Sequence, residues 1–336
     1  MTKTITVIPG DGIGPEIMTS TLRCLEALEC GFEYEYRQAG LVALDESGEL
    51  IPKETLASIR RNGIALKGPL TTPIGQGFKS INVDLRKEFD LYANVRPVIS
   101  MPGTSSRYED IDIITVRENT QGAYLAVDSR VSEDGETAQS GMVVTRTGCA
   151  RVTHYAFKLA RRAGRRKVTI VHKANILKAV SGMFLDVARE VAKEYPDIEC
   201  EEMIVDATCM KLVMNPWQFD VIVTTNLFGD IISDLCAGLI GGLGLAPGAN
   251  IGEDAAMFEA VHGSAPDIAG LHIANPGALM LGAAQMLTHM GMEDRARKLR
   301  AAIRDTIVAG DRVTPDVGGH GDTVSMTDAI VERLKR

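Results

Sequence analysis

At 336 residues with 45% hydrophobic and 24% charged side chains, the chain has material for two domains or one large α/β unit with an ample core. Its net charge of −8 excludes a general binder of nucleic acid or anionic membrane, since either wants a basic surface. Cysteines at 24, 30, 149, 200, 209 and 236 show no CxxC spacing and no histidine cluster, so neither a zinc site nor a disulfide framework is suggested, and a reduced, cytoplasmic compartment fits best.

The N-terminus enters a strand at once, without signal-peptide character, and no apolar span long enough for a membrane helix follows. Thr4–Ile8 alternates as a strand and breaks at Gly10-Asp-Gly-Ile-Gly-Pro15, after which Ile17–Leu28 reads as a helix. Glycines at 10, 12 and 14 followed by proline do not make GxGxxG, so the local reading is a tight βα turn with Pro in the first helical turn. Gly63–Gly68 is a short buried strand, followed by a polar loop through Thr72, Gly75 and Gly77. The next segment places Ser80, Asn82 and Arg86 near the start of one helix, whose N-terminal dipole suits an anion.

Arg96 follows Asp90-Leu-Tyr-Ala-Asn-Val95, and the strand Asp112–Val116 ends at Arg117. Residues 122–145, rich in Gly, Ser and acids with short β-like runs around Tyr124, read as a hairpin-like excursion. A helix over Arg151–Ala163 carries a basic patch at its end, most simply a solvated C-terminus. Strand Lys167–Val171 delivers Lys173; helix Ile176–Glu194 and strand Cys200–Val205 lead to Asp206. Strand Phe219–Thr225 runs into Asn226-Leu-Phe-Gly-Asp230-Ile-Ile-Ser-Asp234, where helical spacing puts two carboxylates on one face. Alone, such a pair is a wet helix face more often than a ligand set. A glycine-rich run to Gly252, a strand Ala255–Val261, the loop His262-Gly-Ser-Ala-Pro266, an amphipathic helix Ala278–Met290 and two closing helices, Glu293–Val308 and Met326–Lys335, complete the chain.

The polar groups singled out sit mainly where an apolar strand ends, the edge at which open α/β sheets bind ligands. Carboxylates at 206, 230 and 234 and arginines at 86, 96 and 117, with Lys173 and Tyr124, point to a metal and a polycarboxylate or phosphate ligand, because guanidinium forks match both.

Over essentially its whole length the sequence resembles the β-decarboxylating dehydrogenases of isocitrate, homoisocitrate and 3-isopropylmalate. The resemblance rests on Asn226-Leu-Phe-Gly-Asp230-Ile-Ile-Ser-Asp234-Leu, Gly10-Asp-Gly-Ile-Gly-Pro15, Asp90-Leu-Tyr-Ala-Asn-Val-Arg-Pro97 and His262-Gly-Ser-Ala-Pro266. It implies a doubly wound, non-Rossmann α/β fold with a discontinuous large nucleotide-binding domain (1–95 and 245–336), a small dimerisation domain (96–244) and a clasp at about 122–145. It also implies that Arg86, Arg96 and Arg117 bind the malate carboxylates and that Asp206, Asp230 and Asp234 hold Mg²⁺ or Mn²⁺. Lys173 would handle the hydroxyl proton and Tyr124 would protonate the enol. In the family the lysine and the first acid come from a partner protomer, so a homo-oligomer, at least a dimer, is expected.

Ser80 and Asn82 fit the isocitrate pattern, where isopropylmalate enzymes need apolar residues; homoisocitrate is the nearest rival substrate. In some bacterial relatives the matching serine is phosphorylated. For the nucleotide the implied set is Thr72, His262, Gly263, Asp267, Ile268 and Asn275. An acid at 267 accepts from ribose hydroxyls and repels a 2′-phosphate, so NAD is expected. The expectation is therefore an NAD-dependent isocitrate dehydrogenase, cytoplasmic, or in the mitochondrial matrix if a processed eukaryotic chain. Its rivals are a non-catalytic regulatory subunit of a hetero-oligomeric enzyme and a plain metal- or citrate-binding protein.

Overall fold

The computed structural model describes residues 3–72 and 80–336; the expected loop glycines Gly75 and Gly77 lie outside them. In chain order the elements begin β1 (Lys3–Ile8), α1 (Gly14–Ala27), β2 (Phe32–Tyr36), α2 (Leu41–Ser47), α3 (Lys53–Asn62), β3 (Ile64–Lys67) and α4 (Ile81–Glu88). Then come β4 (Ala93–Ile99), β5 (Asp112–Glu118), β6 (Gly122–Val131), β7 (Ala138–Val143), α5 (Arg146–Arg162), β8 (Lys167–His172), α6 (Val180–Ala192), β9 (Glu199–Ile204) and α7 (Val205–Met214). The chain ends β10 (Val221–Thr224), α8 (Asn226–Leu239), β11 (Pro247–Ile251), β12 (Ala256–Ala260), α9 (Gly277–His289), α10 (Glu293–Ala309) and α11 (Thr323–Leu334).

Two compact units divide these elements: Met1–Phe89, Val98–Asp110 and Ala237–Arg336 form one, Asp90–Pro97 and Ile111–Cys236 the other. The stretch Val98–Asp110 belongs to the first unit, so the borders differ from those expected at 95 and 245.

In the first unit the strand order is β2-β1-β3-β12-β11, parallel except for β11 against β12. Strands β1, β3 and β12 are buried along most or all of their length, as parallel strands covered on both faces must be. Helix α9 is the unit's central helix: every residue from Gly277 to Ala284 is buried, as are Met286 and Leu287, and the helix packs on α1, α10, β11 and β12. The expected amphipathic face is absent because neighbours surround the helix, and a helix buried all round needs no polar stripe.

The glycine turn after β1 exists for backbone approach. Gly10 and Gly12 have φ of +83° and +59°, and a Cβ on Gly12 would fall 2.0 Å from the carbonyl oxygen of Ser264. Asp11 finishes the turn by accepting from the backbone N–H groups of Leu41, Val42 and Thr71 at 2.9, 3.2 and 2.7 Å. Gly12→Ala should therefore lose more stability than Gly31→Ala, whose φ of +67° carries the same strain with nothing within 4 Å. Equal urea-unfolding free energies for the two variants would contradict this packing role.

In the second unit the order is β4-β5-β10-β8-β9, with β5, β10, β8 and β9 parallel. The excursion is the antiparallel pair β6 and β7, a two-stranded sheet of its own whose outer residues are mostly exposed. Helix α5 starts at Arg146, five residues before expectation, because Thr145 caps it by accepting from the N–H of Gly148 at 3.0 Å. Helix α6 starts later than expected, at Val180, since Lys173 begins a turn whose carbonyl accepts from Ile176 and Leu177. The basic patch is an ion-paired surface: Arg161 meets Asp197, Arg165 meets Asp112 and Asp220, and Lys167 meets Glu201. All six cysteines are free thiols. Among the described residues no helix is long and apolar enough to cross a membrane.

Candidate active site

The parallel strands of the second unit deliver their chemistry at one end. Register pairs Thr224 of β10 with Arg117 of β5 on one side and with Val171 of β8 on the other. Arg117 is thus a strand residue, not a loop residue after the strand. The chain passes from β10 through Thr225 into α8, whose first turns rise directly beside Arg117.

Asn226, Gly229, Asp230, Ser233 and Asp234 recur at helical spacing and form one stripe of α8. Arg117, 1% exposed, donates from Nε and Nη2 to Asn226 Oδ1 at 3.0 and 2.7 Å and from Nη1 to Asp230. Arg96, in β4, donates from Nη1 to Ser233 Oγ at 2.7 Å and to Asp234 at 3.0 Å, and lies 3.4 Å from Asp230. Asn94, two residues earlier and so on the same strand face, accepts from Arg96 Nε at 2.8 Å. The Tyr124 hydroxyl donates to Asp230, and its ring lies under the Arg117 guanidinium, 5.1 Å from centroid to Cζ. Burial, and next the hydrogen bond to Asp230, push the Tyr124 phenol above its ordinary value, with Arg117 opposing. The cluster sets two guanidinium groups and a phenol on two carboxylates.

Lys173 and Asp206 meet each other. Strands β8 and β9 run in parallel register with His172 opposite Ile204, so the residues just beyond their ends are neighbours. The Lys173 ammonium donates to Asp206, which holds that carboxyl below the usual range, and the Lys173 N–H donates to Ser181 Oγ at 2.7 Å. Asp206 sits in the first turn of α7, a helix not anticipated because Val205 reads as the end of the strand before it. Among the described residues no three His, Cys, Asp or Glu side chains gather as a metal-binding group. Asp206 therefore does not join Asp230 and Asp234 within one chain.

The first unit holds the other expected residues. Helix α4 is short, so Arg86 belongs to its last turn, beyond reach of the N-terminal dipole that was expected to serve it. Arg86 instead stands over a buried charge network: its Nη2 is 4.0 Å from Glu259 Oε1. Parallel register sets Lys67 of β3 beside Glu259 of β12, with Nζ 2.7 Å from Oε2, and Asn250 of β11 donates to Oε1 at 2.6 Å. Burial pushes the Glu259 carboxyl up, but Lys67, Arg86 and Asn250 outweigh it and bring it down to about 2. Ser80 precedes α4 without a side-chain cap bond, and Asn82 carries a buried amide oxygen with no hydrogen-bond partner among the described residues.

Around the glycine turn, the loops following β1, β3 and β12 are tied together. Thr71 Oγ1 and Ser264 Oγ lie 2.5 Å apart, and Ile13 N–H donates to Ser264 O at 2.9 Å. Thr72 Oγ1 accepts from Ile81 N–H at 3.3 Å. His262 Nδ1 is 2.9 Å from Gly263 O, with the imidazole pushed down by burial, while Asp267 is exposed next to half-buried Ile268. Asn275 donates to Asp316 at 2.9 Å and accepts from Gly277 N–H at 2.8 Å, which fixes the 314–318 turn to the start of α9. Sequence reasoning gave no role to Asn94, Ser233, Lys67, Asn250 or Glu259. The i+2 spacing of Asn94 to Arg96 and the i+7 spacing of Ser233 to Asn226 were the available signals.

The sequence pattern of the isocitrate/isopropylmalate dehydrogenase family matches residues 4–333. Over 332 residues the chain is 48% identical to isocitrate dehydrogenase (NAD) catalytic subunit 5, mitochondrial, of Arabidopsis thaliana, covering 98% of this chain and 88% of that one. It is 46% identical over 331 residues to a mitochondrial regulatory subunit of isocitrate dehydrogenase (NAD) from Dictyostelium discoideum, covering 98% and 91%. The crystal structure of isocitrate dehydrogenase from Methylococcus capsulatus matches with a TM-score of 0.96 at 54% identity, over 100% of both chains. A match of both sequence and fold along nearly the whole chain leaves one assignment: this protein belongs to the isocitrate/isopropylmalate dehydrogenase family.

Proposed function

We propose that the chain catalyses NAD-dependent oxidative decarboxylation of isocitrate to 2-oxoglutarate and CO₂. The α8 stripe carries this reading, because Arg96, Arg117 and Tyr124 converge there on Asp230 and Asp234. Two arginines facing two acids are the parts needed to hold a polycarboxylate once the acids take another cation.

The acids fit Mg²⁺ or Mn²⁺ by donor chemistry, as carboxylate oxygens on one helix face with side chains 35% and 56% exposed. Asp230 and Asp234 would hold the ion, with Asp206 of a second copy as the third acid, since the described residues of one chain gather no such group of three. When bound, such an ion polarises the oxygen on the carbon being oxidised. With the acids so engaged, Arg96 and Arg117 would turn to the malate carboxylates.

Lys173, completing a neighbour's site together with Asp206, accepts the proton of the hydroxyl as its neutral amine while hydride passes to the nicotinamide. Loss of the β-carboxylate as CO₂ leaves an enolate that Tyr124 protonates at carbon, giving the 2-oxo acid. Ser80 and Asn82 pair with the third carboxylate by donating from the hydroxyl and from the amide N–H groups, since an ionised carboxylate only accepts. A pocket of polar groups rejects an alkyl substituent, which would leave them unpaired.

The regulatory relative keeps a second reading open, a non-catalytic subunit, and the presence of Lys173, Tyr124, the three arginines and the three acids favours the catalytic one. Steady-state assays of the purified chain with isocitrate, homoisocitrate and 3-isopropylmalate, each with NAD and NADP, test the proposal. The highest kcat/KM is expected for isocitrate with NAD. Preference for another acid or for NADP overturns the corresponding half, and no turnover by the chain alone favours the regulatory reading.

A further inference from the structure

Two members of the α8 stripe, Asn226 and Gly229, have no part in the chemistry proposed above, yet both touch Arg117. A Cβ built on Gly229 would lie 2.5 Å from Arg117 Cγ, 2.6 Å from its Cβ and 3.1 Å from its Cδ. These atoms are at the root of a side chain only 1% exposed, so they cannot swing aside as an exposed tip could. The guanidinium is held at the other end by Asn226, whose Oδ1 takes two of its N–H groups while its Nδ2 donates to Gln121 O at 3.0 Å. Asn226 is itself 1% exposed.

We infer that Asn226 and Gly229 are positioning residues that together set the reach of Arg117. Gly229 lets the stem lie flat against α8, and Asn226 fixes the plane of the fork. Of the guanidinium nitrogens, Nη1 is then the one directed at Asp230, beside the Tyr124 hydroxyl. Their spacing follows from the helix: Gly229 is three residues beyond Asn226, on the same face, where the β5 side chain passes. A methyl at 229 lifts the stem off the helix and withdraws Nη1 from the carboxylate it is meant to meet, and small misplacements of a substrate-orienting group are costly. Gly238, on the same helix, has nothing within 4 Å of a Cβ and serves as the control.

The inference rests on the reading of Arg117 as a substrate-carboxylate ligand, and the experiment separates the two. In the full-length chain, Gly229→Ala and Asn226→Ala are expected to raise KM for isocitrate about tenfold or more, with KM for NAD within about twofold of wild type. Gly238→Ala should change neither. Equal KM values for isocitrate in Gly229→Ala and Gly238→Ala overturn the inference, as does a change confined to kcat or to melting temperature. If Gly229→Ala does not fold, Asn226→Ala decides by the same split. If the wild-type chain turns over none of the three acids, the functional reading has failed. Crystal structures of wild type and Gly229→Ala then test the inference alone: Nη1 displaced from Asp230 supports it, and Nη1 in place refutes it.

Discussion

Lys173→Met is expected to lower kcat about 10²- to 10⁴-fold while changing KM for isocitrate far less, because a positioned proton acceptor acts in the transition state more than in binding. The structure positions the side chain for that work: β8 ends at His172, Ser181 Oγ accepts from the Lys173 N–H, and Asp206 accepts from the ammonium, which gives up a proton before it takes the hydroxyl's. Tyr124→Phe should also cut kcat, and it keeps the ring beneath Arg117 while deleting only the O–H. With its phenol pushed above the ordinary value of 10.0 by burial, and next by the hydrogen bond to Asp230, Tyr124 keeps its proton throughout neutral pH and can donate it. The pH profile of kcat should therefore show no loss of a required proton between pH 6 and about 9 that Tyr124→Phe abolishes. A near-wild-type rate in either variant removes that residue from the scheme.

Glu259→Gln is expected to destabilise the chain by about 3–5 kcal/mol, since it leaves the Lys67 ammonium buried without its counter-charge. Lys67 is 2% exposed and Glu259 6% exposed, so water cannot take over. The sign with pH is definite. The Glu259 carboxyl is lowered from 4.5 to about 2, so its contribution is present in full above about pH 4.5 and is lost as pH falls through 2. The stability gap between wild type and Glu259→Gln in urea unfolding should thus be widest near neutral pH and close below pH 4.5. Parallel stability curves across that range would show that the network carries no net charge coupling. Lys67→Met combined with Glu259→Gln should cost less than the sum of the single changes, because the pair shares one interaction.

Several elements escaped a reading from sequence for identifiable reasons. Strand β4 contains Pro97, which argues against an interior strand, yet it carries Asn94 and Arg96 to the site. Strand β11 is hidden in a run of small residues, Pro247–Ile251, with weak β propensity of its own, and it forms because β12 pairs with it along its whole length. The acid pair of α8 was legible from its spacing. Asn226 and Ser233 on the same stripe were not given partners, because those partners lie far along the chain: Asn226 meets Arg117 across 109 positions and Ser233 meets Arg96 across 137.

Local order sufficed for the alternation of strands and helices, the placing of charged residues after buried strands, and the family motifs, because apolar periodicity and turn residues act over a few neighbours. Only the tertiary structure decided which charge meets which. Parallel strands bring Arg117 beside Thr224 and Lys67 beside Glu259 through register that no local pattern encodes. It also decided that Asp206 pairs with Lys173 and stands apart from Asp230 and Asp234 within one chain, since ion pairing depends on distance in space and not on order in sequence.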